Sequence, residues 1–143
     1  MSVKVEVITE VTDELTAAFG RLVPQMSRSA PPLDREALSA VARHEAITLL
    51  VARLDGEVVG TLTLVMFPIP TGLRAWIEDV VVDEAARGLG VGAELTREAV
   101  RLARAAGART VDLTSRPSRE AANRLYERLG FRPRDTKVYR LDA

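Results

Sequence analysis

A glycine-rich turn in the middle of the chain has the residue types that bind a phosphate group. Residues 80–95 read VVVDEAARGLGVGAEL, in which Arg87 is followed by glycines at alternate positions and then by a helix-like sequence. The first N–H groups of a helix have no intrahelical acceptor and carry partial positive charge. Glycine lets an anion approach them without an intervening Cβ atom, and arginine adds charge. The pattern predicts an anion-binding turn, for which a diphosphate is the best-fitting ligand.

Three interpretations of this turn compete at first. Gly88-x-Gly90-x-x-Ala93 fits the dinucleotide fingerprint, and Asp112 lies about twenty residues further on, as that fingerprint requires. An NTPase phosphate loop fits poorly, because the chain contains no Gly-Lys-Ser or Gly-Lys-Thr. In the structural interpretation, the glycines only allow a helix to pack close to its strand. The rest of the chain has to decide among these interpretations.

Composition restricts the class of protein. The 143 residues are 47% hydrophobic and carry a formal net charge of +0, which predicts a single domain over residues 1–143 and argues against nucleic acid or an anionic membrane as the main partner. Without cysteine there is no disulfide, thiolate metal site or cysteine nucleophile, and we predict no metal site. No apolar run reaches the ~20 residues of a membrane span, and the first residues do not resemble a signal peptide. We therefore expect a cytoplasmic protein.

Hydrophobic periodicity predicts the elements that position the turn. We expect strands at 3–7, 47–54, 58–66, 73–82, 110–114 and 137–141, and helices after the capping residues Thr12 and Asp34 and at 93–106 and 118–129. Asp55-Gly56 predicts a tight hairpin turn, residues 67–72 (FPIPTG) a loop, and Pro24 a kink or an end of the first helix. Only the strands flanking helix 93–106 have a helical crossover, so only they should be parallel. The fold class is therefore a mixed α/β sheet.

Two segments resemble one family. Residues 87–92 (RGLGVG) match the Arg/Gln-x-x-Gly-x-Gly/Ala signature of the GNAT superfamily of N-acetyltransferases, and residues 121–131 (AANRLYERLGF) are similar to a second segment of that family. The resemblance implies a mostly antiparallel sheet with one splayed parallel strand pair, helices on both faces, acetyl-CoA as cofactor and an amine acceptor as partner. It also allows a homodimer formed through the last strand or a sheet edge.

The resemblance assigns the cofactor to two backbone segments and one helix. The strand edge at Val80, Val81 and Val82 is expected to hold the pantetheine arm and to polarise the thioester carbonyl. The diphosphate is expected on backbone N–H groups of Arg87, Gly88, Leu89, Gly90, Val91, Gly92 and Ala93. Many members of the family have an asparagine seven residues before the tyrosine that corresponds to Tyr126, whereas this chain has Arg119 at that position. In one interpretation Asn123 replaces the cofactor contact of that asparagine. In the other it is an exposed helix residue.

The resemblance also implies the catalytic residues. Tyr126 is the candidate acid that protonates the departing thiolate, although its helix face also suits packing. Glu78 is the candidate base, acting directly or through water, because a glutamate within WIEDVVV is costly to bury without a purpose. Asp79 should project to the opposite face of the sheet unless a bulge intervenes, and there it holds substrate or structure.

The acceptor side is less defined. Arg74 and Trp76 precede Glu78 and either line the acceptor pocket, where Arg74 favours an acidic substrate, or are a solvated arginine and an edge-packed tryptophan. Residues 77–79 also resemble the glucosamine-6-phosphate N-acetyltransferase branch, but three residues do not identify a substrate. His44, near a helix C-terminus, is expected to have no chemical role.

The sequence thus predicts an enzyme that moves an acetyl group from acetyl-CoA to a primary amine by direct attack in a ternary complex. The alternative is a non-catalytic acyl-CoA-binding sensor or assembly module, against which Tyr126 speaks. A nucleotide-dependent oxidoreductase ranks third.

Overall fold

Five strands and four α-helices follow the predicted order closely. The computed structural model describes residues 2–143, whose strands are β1 (Val3–Ile8), β2 (Ile47–Leu54), β3 (Glu57–Ile69), β4 (Gly72–Val82) and β5 (Thr110–Asp112). The helices are α1 (Asp13–Met26), α2 (Arg35–Arg43), α3 (Val91–Ala105) and α4 (Glu120–Arg128), with one 3-10 turn at Glu84–Ala86. The chain divides into two compact units, and the boundary between them in the sequence lies between Leu113 and Thr114. The expectation of one domain stays a prediction.

The strands form one mixed sheet in the first unit. Their order in the sheet, β1-β2-β3-β4-β5, is their order along the chain. The first three pairings are antiparallel, and β4 pairs with β5 in parallel through the crossover α3. The predicted fold class, a mostly antiparallel sheet with one parallel pair, is confirmed.

The first two helices begin at the predicted caps. Thr12 accepts a hydrogen bond from the Leu15 N–H at 3.2 Å, and Asp34 accepts one from the Ala37 N–H at 2.8 Å. Pro24 does not end α1, which continues to Met26, so that part of the prediction is wrong, while the kink stays a prediction. The Ser27 N–H still donates to the Val23 carbonyl at 3.0 Å, so the helical hydrogen bonds continue past the proline. Within residues 2–143 no helix is long and apolar enough to cross a membrane.

The predicted loop at 67–72 is instead the end of a long hairpin. Pro68 pairs with Leu73, and the strands extend to Ile69 and from Gly72. The Met66 N–H points toward β2, where it reaches the Ala46 carbonyl at 2.8 Å. Pro68, two residues on, would point its missing N–H to the same side, but the register of β2 with β3 has ended there. The proline therefore removes no ladder hydrogen bond and does not break the strand.

Helices cover both faces of the sheet within the first unit. Leu15, Phe19 and Leu38 of α1 and α2 pack with Leu49 and Val51 of β2 in one buried cluster. On the opposite face α3 packs across β1 to β4 with a fully buried stripe, formed by Val91, Leu95, Ala99 and Ala103. These two packed layers place the β4 to α3 connection at the end of the sheet.

The second unit, Thr114–Ala143, contains one regular element, α4. The predicted strand at 137–141 is wrong, because residues 131–143 are irregular. A strand needs a neighbour for its backbone hydrogen bonds, and within this unit there is no other strand. Three large apolar side chains of this tail are consequently exposed, namely Val138, Tyr139 and Leu141.

Candidate active site

The glycine turn connects β4 to α3 and has the backbone conformation that an anion site needs. Gly88 and Gly90 have φ of +81° and +82°, a left-handed region that strains residues with a Cβ atom. Residues 87–90 are exposed. Gly92 lies inside the first turn of α3 and is not among the positive-φ residues, so two of the three glycines of the turn have this conformation.

The glycines of the turn are not there for close packing. An ideal Cβ at Gly88 or Gly90 would meet no atom within 4 Å. Close approach of α3 to the sheet is achieved at Gly60 of β3 instead, where a Cβ would lie 3.0 Å from Val91 and 3.2 Å from Leu95. The structural interpretation of the turn therefore fails for Gly88 and Gly90, and their open space is consistent with a ligand approaching the backbone.

Helix α3 starts two residues earlier than predicted, at Val91 rather than Ala93. Its first α-helical hydrogen bond runs from the Glu94 N–H to the Gly90 carbonyl at 3.1 Å. Gly90 is the N-cap and has no side chain that accepts a hydrogen bond from the first turn. The N–H groups of Val91, Gly92 and Ala93 thus precede the intrahelical ladder and suit an anionic ligand.

The edge of β4 is open beside the turn. Strand β5 pairs with β4 only at Arg74, Ala75 and Trp76. Residues 77–82 of β4, which include Val80, Val81 and Val82, have no strand partner on that side within the first unit. An open strand edge presents unpaired N–H and C=O groups, to which an extended, amide-containing arm can bind.

A β-bulge interrupts β4 at the candidate base. Thr63 of β3 pairs with Glu78, but Thr61 pairs with Val81, so β4 contains an extra residue between them. Asp79 lies in the bulge with φ of +50°, an unusual value for a residue other than glycine. Glu78 and Asp79 are both exposed, so the expectation of a buried glutamate is wrong. The bulge takes Asp79 out of the regular ladder, so Asp79 need not project to the face opposite Glu78.

Arg74 and Trp76 lie on the same face of β4 as Glu78 by alternation, and both are half-buried. The Arg74 guanidinium donates to the Asp112 carboxylate of β5 at 2.7 Å, and Thr110 donates to the same carboxylate oxygen at 3.1 Å. Asp112 thus bonds to side chains of the two paired strands. In a dinucleotide site it would instead accept a hydrogen bond from the ribose. The negative charge of Asp112 also offsets the positive charge of Arg74, which was expected to favour an acidic substrate.

Tyr126 is buried in the second unit. Its ring packs edge-on against Phe131 at 5.9 Å, after a turn in which Gly130 has φ of +101° and the Phe131 N–H returns to the Tyr126 carbonyl. Burial raises the pKa of Tyr126, and the guanidinium of Arg119 opposes this rise through its charge and a hydrogen bond. The phenol therefore keeps its proton at neutral pH and stays able to donate it.

Asn123 and Arg119 shape the start of α4. Arg119 is its N-cap residue, and the Asn123 N–H bonds its carbonyl at 2.9 Å. The Asn123 side chain donates to the Arg116 carbonyl at 3.0 Å. The side-chain NH2 group of Asn123 therefore holds the loop that precedes α4, and its side-chain oxygen stays available to a ligand.

Three features were missed from the sequence. Gly60 inside a strand pattern is a recognised sign of close backbone approach. The ion pair between Arg74 and Asp112 depends on a parallel register that the sequence does not encode locally. The cleft of about 380 Å³ near the β2–β3 turn was also not expected; Arg21, Asp55 and Asp83 are among its lining residues, and none of the candidate site residues lines it. An extended cofactor arm requires a strand edge rather than such a cleft.

His44 accepts a hydrogen bond from the Ala46 N–H at 3.1 Å, a local structural role.

Comparison with known proteins supports the same family. The sequence model of the acetyltransferase (GNAT) family matches residues 8–131. Glucosamine 6-phosphate N-acetyltransferase of Trypanosoma brucei brucei is 36% identical over 121 residues, covering 79% of this chain and 80% of that protein. A crystal structure of a Trypanosoma brucei acetyltransferase has a TM-score of 0.80 and 26% identity, covering 99% of this chain and 100% of that one. A transcriptional regulator from Bacillus halodurans has a TM-score of 0.79 and 28% identity over the same shares of both chains.

The family match spans the open edge of β4, the glycine turn and helix α4. Within that range the turn contains two positive-φ glycines, and the strand before it carries two exposed carboxylates. The chain belongs to the GNAT acetyltransferase family and is an acyl-CoA-dependent N-acetyltransferase.

Proposed function

We propose that this enzyme transfers the acetyl group of acetyl-CoA to the primary amine of a small amino sugar phosphate, by direct attack in a ternary complex. The observation that carries the proposal is the open edge of β4, which leads directly into a turn with two positive-φ glycines. One end of this arrangement suits an amide-containing arm and the other suits a diphosphate. Coenzyme A contains both groups in one molecule.

The backbone supplies the cofactor contacts. N–H and C=O groups of Val80, Val81 and Val82 would bond the pantetheine arm, and N–H groups of the glycine turn would hold the diphosphate. The open space at Gly88 and Gly90 supports this fit, because a phosphate oxygen requires room next to the main chain. Acetyl-CoA supplies the acetyl group as a thioester, which is reactive toward a neutral amine.

Three groups of the chain move or hold charge in the proposed reaction, in which the nitrogen gives up two protons: one leaves to solvent through Glu78, and the other restores the Tyr126 phenol after it has protonated the sulfur. Glu78, directly or through a water, accepts a proton from the substrate ammonium, so that the nitrogen lone pair can attack the carbonyl carbon. A backbone N–H at Val80 donates a hydrogen bond to the carbonyl oxygen as negative charge develops there. Tyr126 donates its proton to the sulfur as the carbon–sulfur bond breaks. The products are an amide and the thiol of coenzyme A.

The proposed acceptor class rests on the trypanosomal relative. That protein is a glucosamine 6-phosphate N-acetyltransferase, and residues 77–79 (IED) of this chain resemble that branch of the family. The exposed carboxylates of Glu78 and Asp79 suit an ammonium group next to the strand edge. Glucosamine 6-phosphate is therefore the first acceptor to test, with glucosamine and other primary amines as comparison substrates.

The decisive experiment replaces the acid. Tyr126→Phe removes only the hydroxyl, and we expect the kcat of thiol release to fall about 100-fold while the Kd of acetyl-CoA changes less than about threefold. Tyr139→Phe is the matched control, because Tyr139 is exposed in the irregular tail and should leave the kcat unchanged. Full activity of Tyr126→Phe would remove the acid role. Acetyl-CoA binding without thiol release on any amine would favour the sensor function instead.

A further inference from the structure

The formal neutrality of the chain conceals a segregation of charge between the two units. Of its twenty basic and twenty acidic residues, eight basic and four acidic ones lie in residues 114–143, a net charge of +4. This leaves twelve basic and sixteen acidic residues, a net charge of −4, in residues 1–113. The eight cations of the second unit are Arg116, Arg119, Arg124, Arg128, Arg132, Arg134, Lys137 and Arg140.

These eight side chains are available to a ligand. All of them belong to exposed residues. The ion pairs formed among the described residues involve Arg35, Arg53, Arg74, Arg97 and Arg101, all of which lie in the first unit. Among the described residues no ion pair neutralises the cations of the second unit, whereas these five arginines of the first unit are partly neutralised by neighbouring carboxylates.

A negatively charged ligand already belongs to this unit if the proposed function is correct. Tyr126 and Asn123 are the residues of the second unit that are assigned to coenzyme A, and both lie in α4 among these arginines. Coenzyme A contains a 3′-phosphate and a diphosphate, which make it the most highly charged small molecule in the reaction. A net positive unit attracts such an anion before any specific contact forms.

We propose that the exposed cations of residues 114–143 form an electrostatic capture surface that steers coenzyme A, through its phosphate groups, to the cofactor site. This inference rests on the proposed function. It assigns a role to cations that are remote in sequence from the glycine turn, and it concerns the rate of cofactor association rather than the contacts of the bound state. Steering of this kind raises association rates by about 10–10³-fold and weakens with ionic strength, since charges are screened over about 8 Å in physiological salt.

The test variant removes three charges from the irregular tail, where no helix is disturbed. Arg132→Gln, Arg134→Gln and Arg140→Gln together lower the net charge of the unit, and none of these residues has been placed in the catalytic or binding machinery. The matched control replaces three exposed cations of the first unit that form no ion pair within residues 2–143, Lys4, Arg43 and Arg104, by Gln. Both variants change the total charge equally, so only the location differs.

Stopped-flow fluorescence of Trp76, the single tryptophan, measures the association rate of acetyl-CoA without any acceptor. At low salt we expect the tail variant to associate roughly tenfold more slowly than the wild type and the control less than twofold more slowly, with the difference vanishing near 0.5 M salt. Acetyl-pantetheine, which lacks the phosphates, should associate with all three proteins at the same rate.

Equal slowing in both variants, or equal slowing with acetyl-pantetheine, would overturn the capture surface. A wild-type rate for acetyl-CoA that does not depend on salt would overturn it as well, while the proposed function would stand. Failure of the wild type to bind acetyl-CoA at any salt concentration would instead refute the proposed function, and the inference with it.

Discussion

The two halves of β4 belong to one strand but have different surroundings. From Arg74 to Trp76 the strand is paired on both sides, and at its start, beside Gly72, the Arg109 side chain covers the strand and donates to the Thr71 carbonyl. From Ile77 to Val82 it is paired only with β3, through a bulge, and its two carboxylates are exposed. The comparison teaches that one strand divides its tasks along its length. The doubly paired half fixes the position of the half that is left open for chemistry.

Among the changes in and beside β4, Glu78→Gln in the open half should have the largest effect. We expect kcat to fall by about 100-fold, because the amide cannot accept the substrate proton, whereas the KM of acetyl-CoA and the melting temperature should stay near wild type since Glu78 is exposed. Steady-state thiol release measures both constants. Asp79→Asn is the matched control. A large fall with Asp79→Asn alone would move the base to the bulge residue, and wild-type activity in both variants would assign it to water.

Gly72→Ala should destabilise the start of β4, which leads into the doubly paired half, without changing any candidate catalytic residue. The Cβ would lie 2.6 Å from the Arg109 Cδ, and the φ of +129° is a region that residues with a Cβ avoid. We expect a loss of about 2–3 kcal/mol in the free energy of unfolding by urea. Gly56→Ala, at a hairpin turn with φ of +84° and no atom near the added Cβ, should lose about 1 kcal/mol. Equal losses would mean that the contact with Arg109 is unimportant.

Asp112→Asn should give the smallest effect, again in the doubly paired half. It removes the anion that pairs with Arg74, whose Nε is already buried without a hydrogen-bond partner among the described residues. We expect a loss of about 1 kcal/mol in the free energy of unfolding. Asp13→Asn, whose pair with Arg35 is exposed on both sides, should lose less than about 0.5 kcal/mol. A larger loss for Asp13→Asn would contradict the difference in burial between the two pairs.

The elements of this fold could largely be predicted because their signals are local. Thr12 and Asp34 cap helices, and Asp55-Gly56 forms the turn of a hairpin with φ of +51° and +84°. The loop predicted at 67–72 failed because the cost of Pro68 depends on whether a neighbouring strand reaches that far. The strand predicted at 137–141 failed for the same reason, since strand formation depends on a partner and not on the segment alone.

The candidate site divides in the same way. The conformations of Gly88 and Gly90 follow from residue type, because glycine is the residue that adopts positive φ without strain. The bulge at Asp79 could not be predicted, because it is set by the register between β3 and β4. The exposure of Glu78 was also missed, because burial depends on which side chains cover that part of the sheet. The catalytic roles of Glu78 and Tyr126 come from resemblance and stay predictions until the variants are measured.

The strand order has a consequence for how the molecule folds. Strands β2, β3 and β4 are neighbours in both sequence and space, and short turns join them, so their pairing closes only small loops. Strand β5 joins through the longer α3 crossover. We therefore expect the β2–β4 meander to form in the folding transition state and the parallel pair to form afterwards. The cofactor site would then be assembled last, on a folding nucleus formed by the β2–β4 meander before the glycine turn adopts its native conformation.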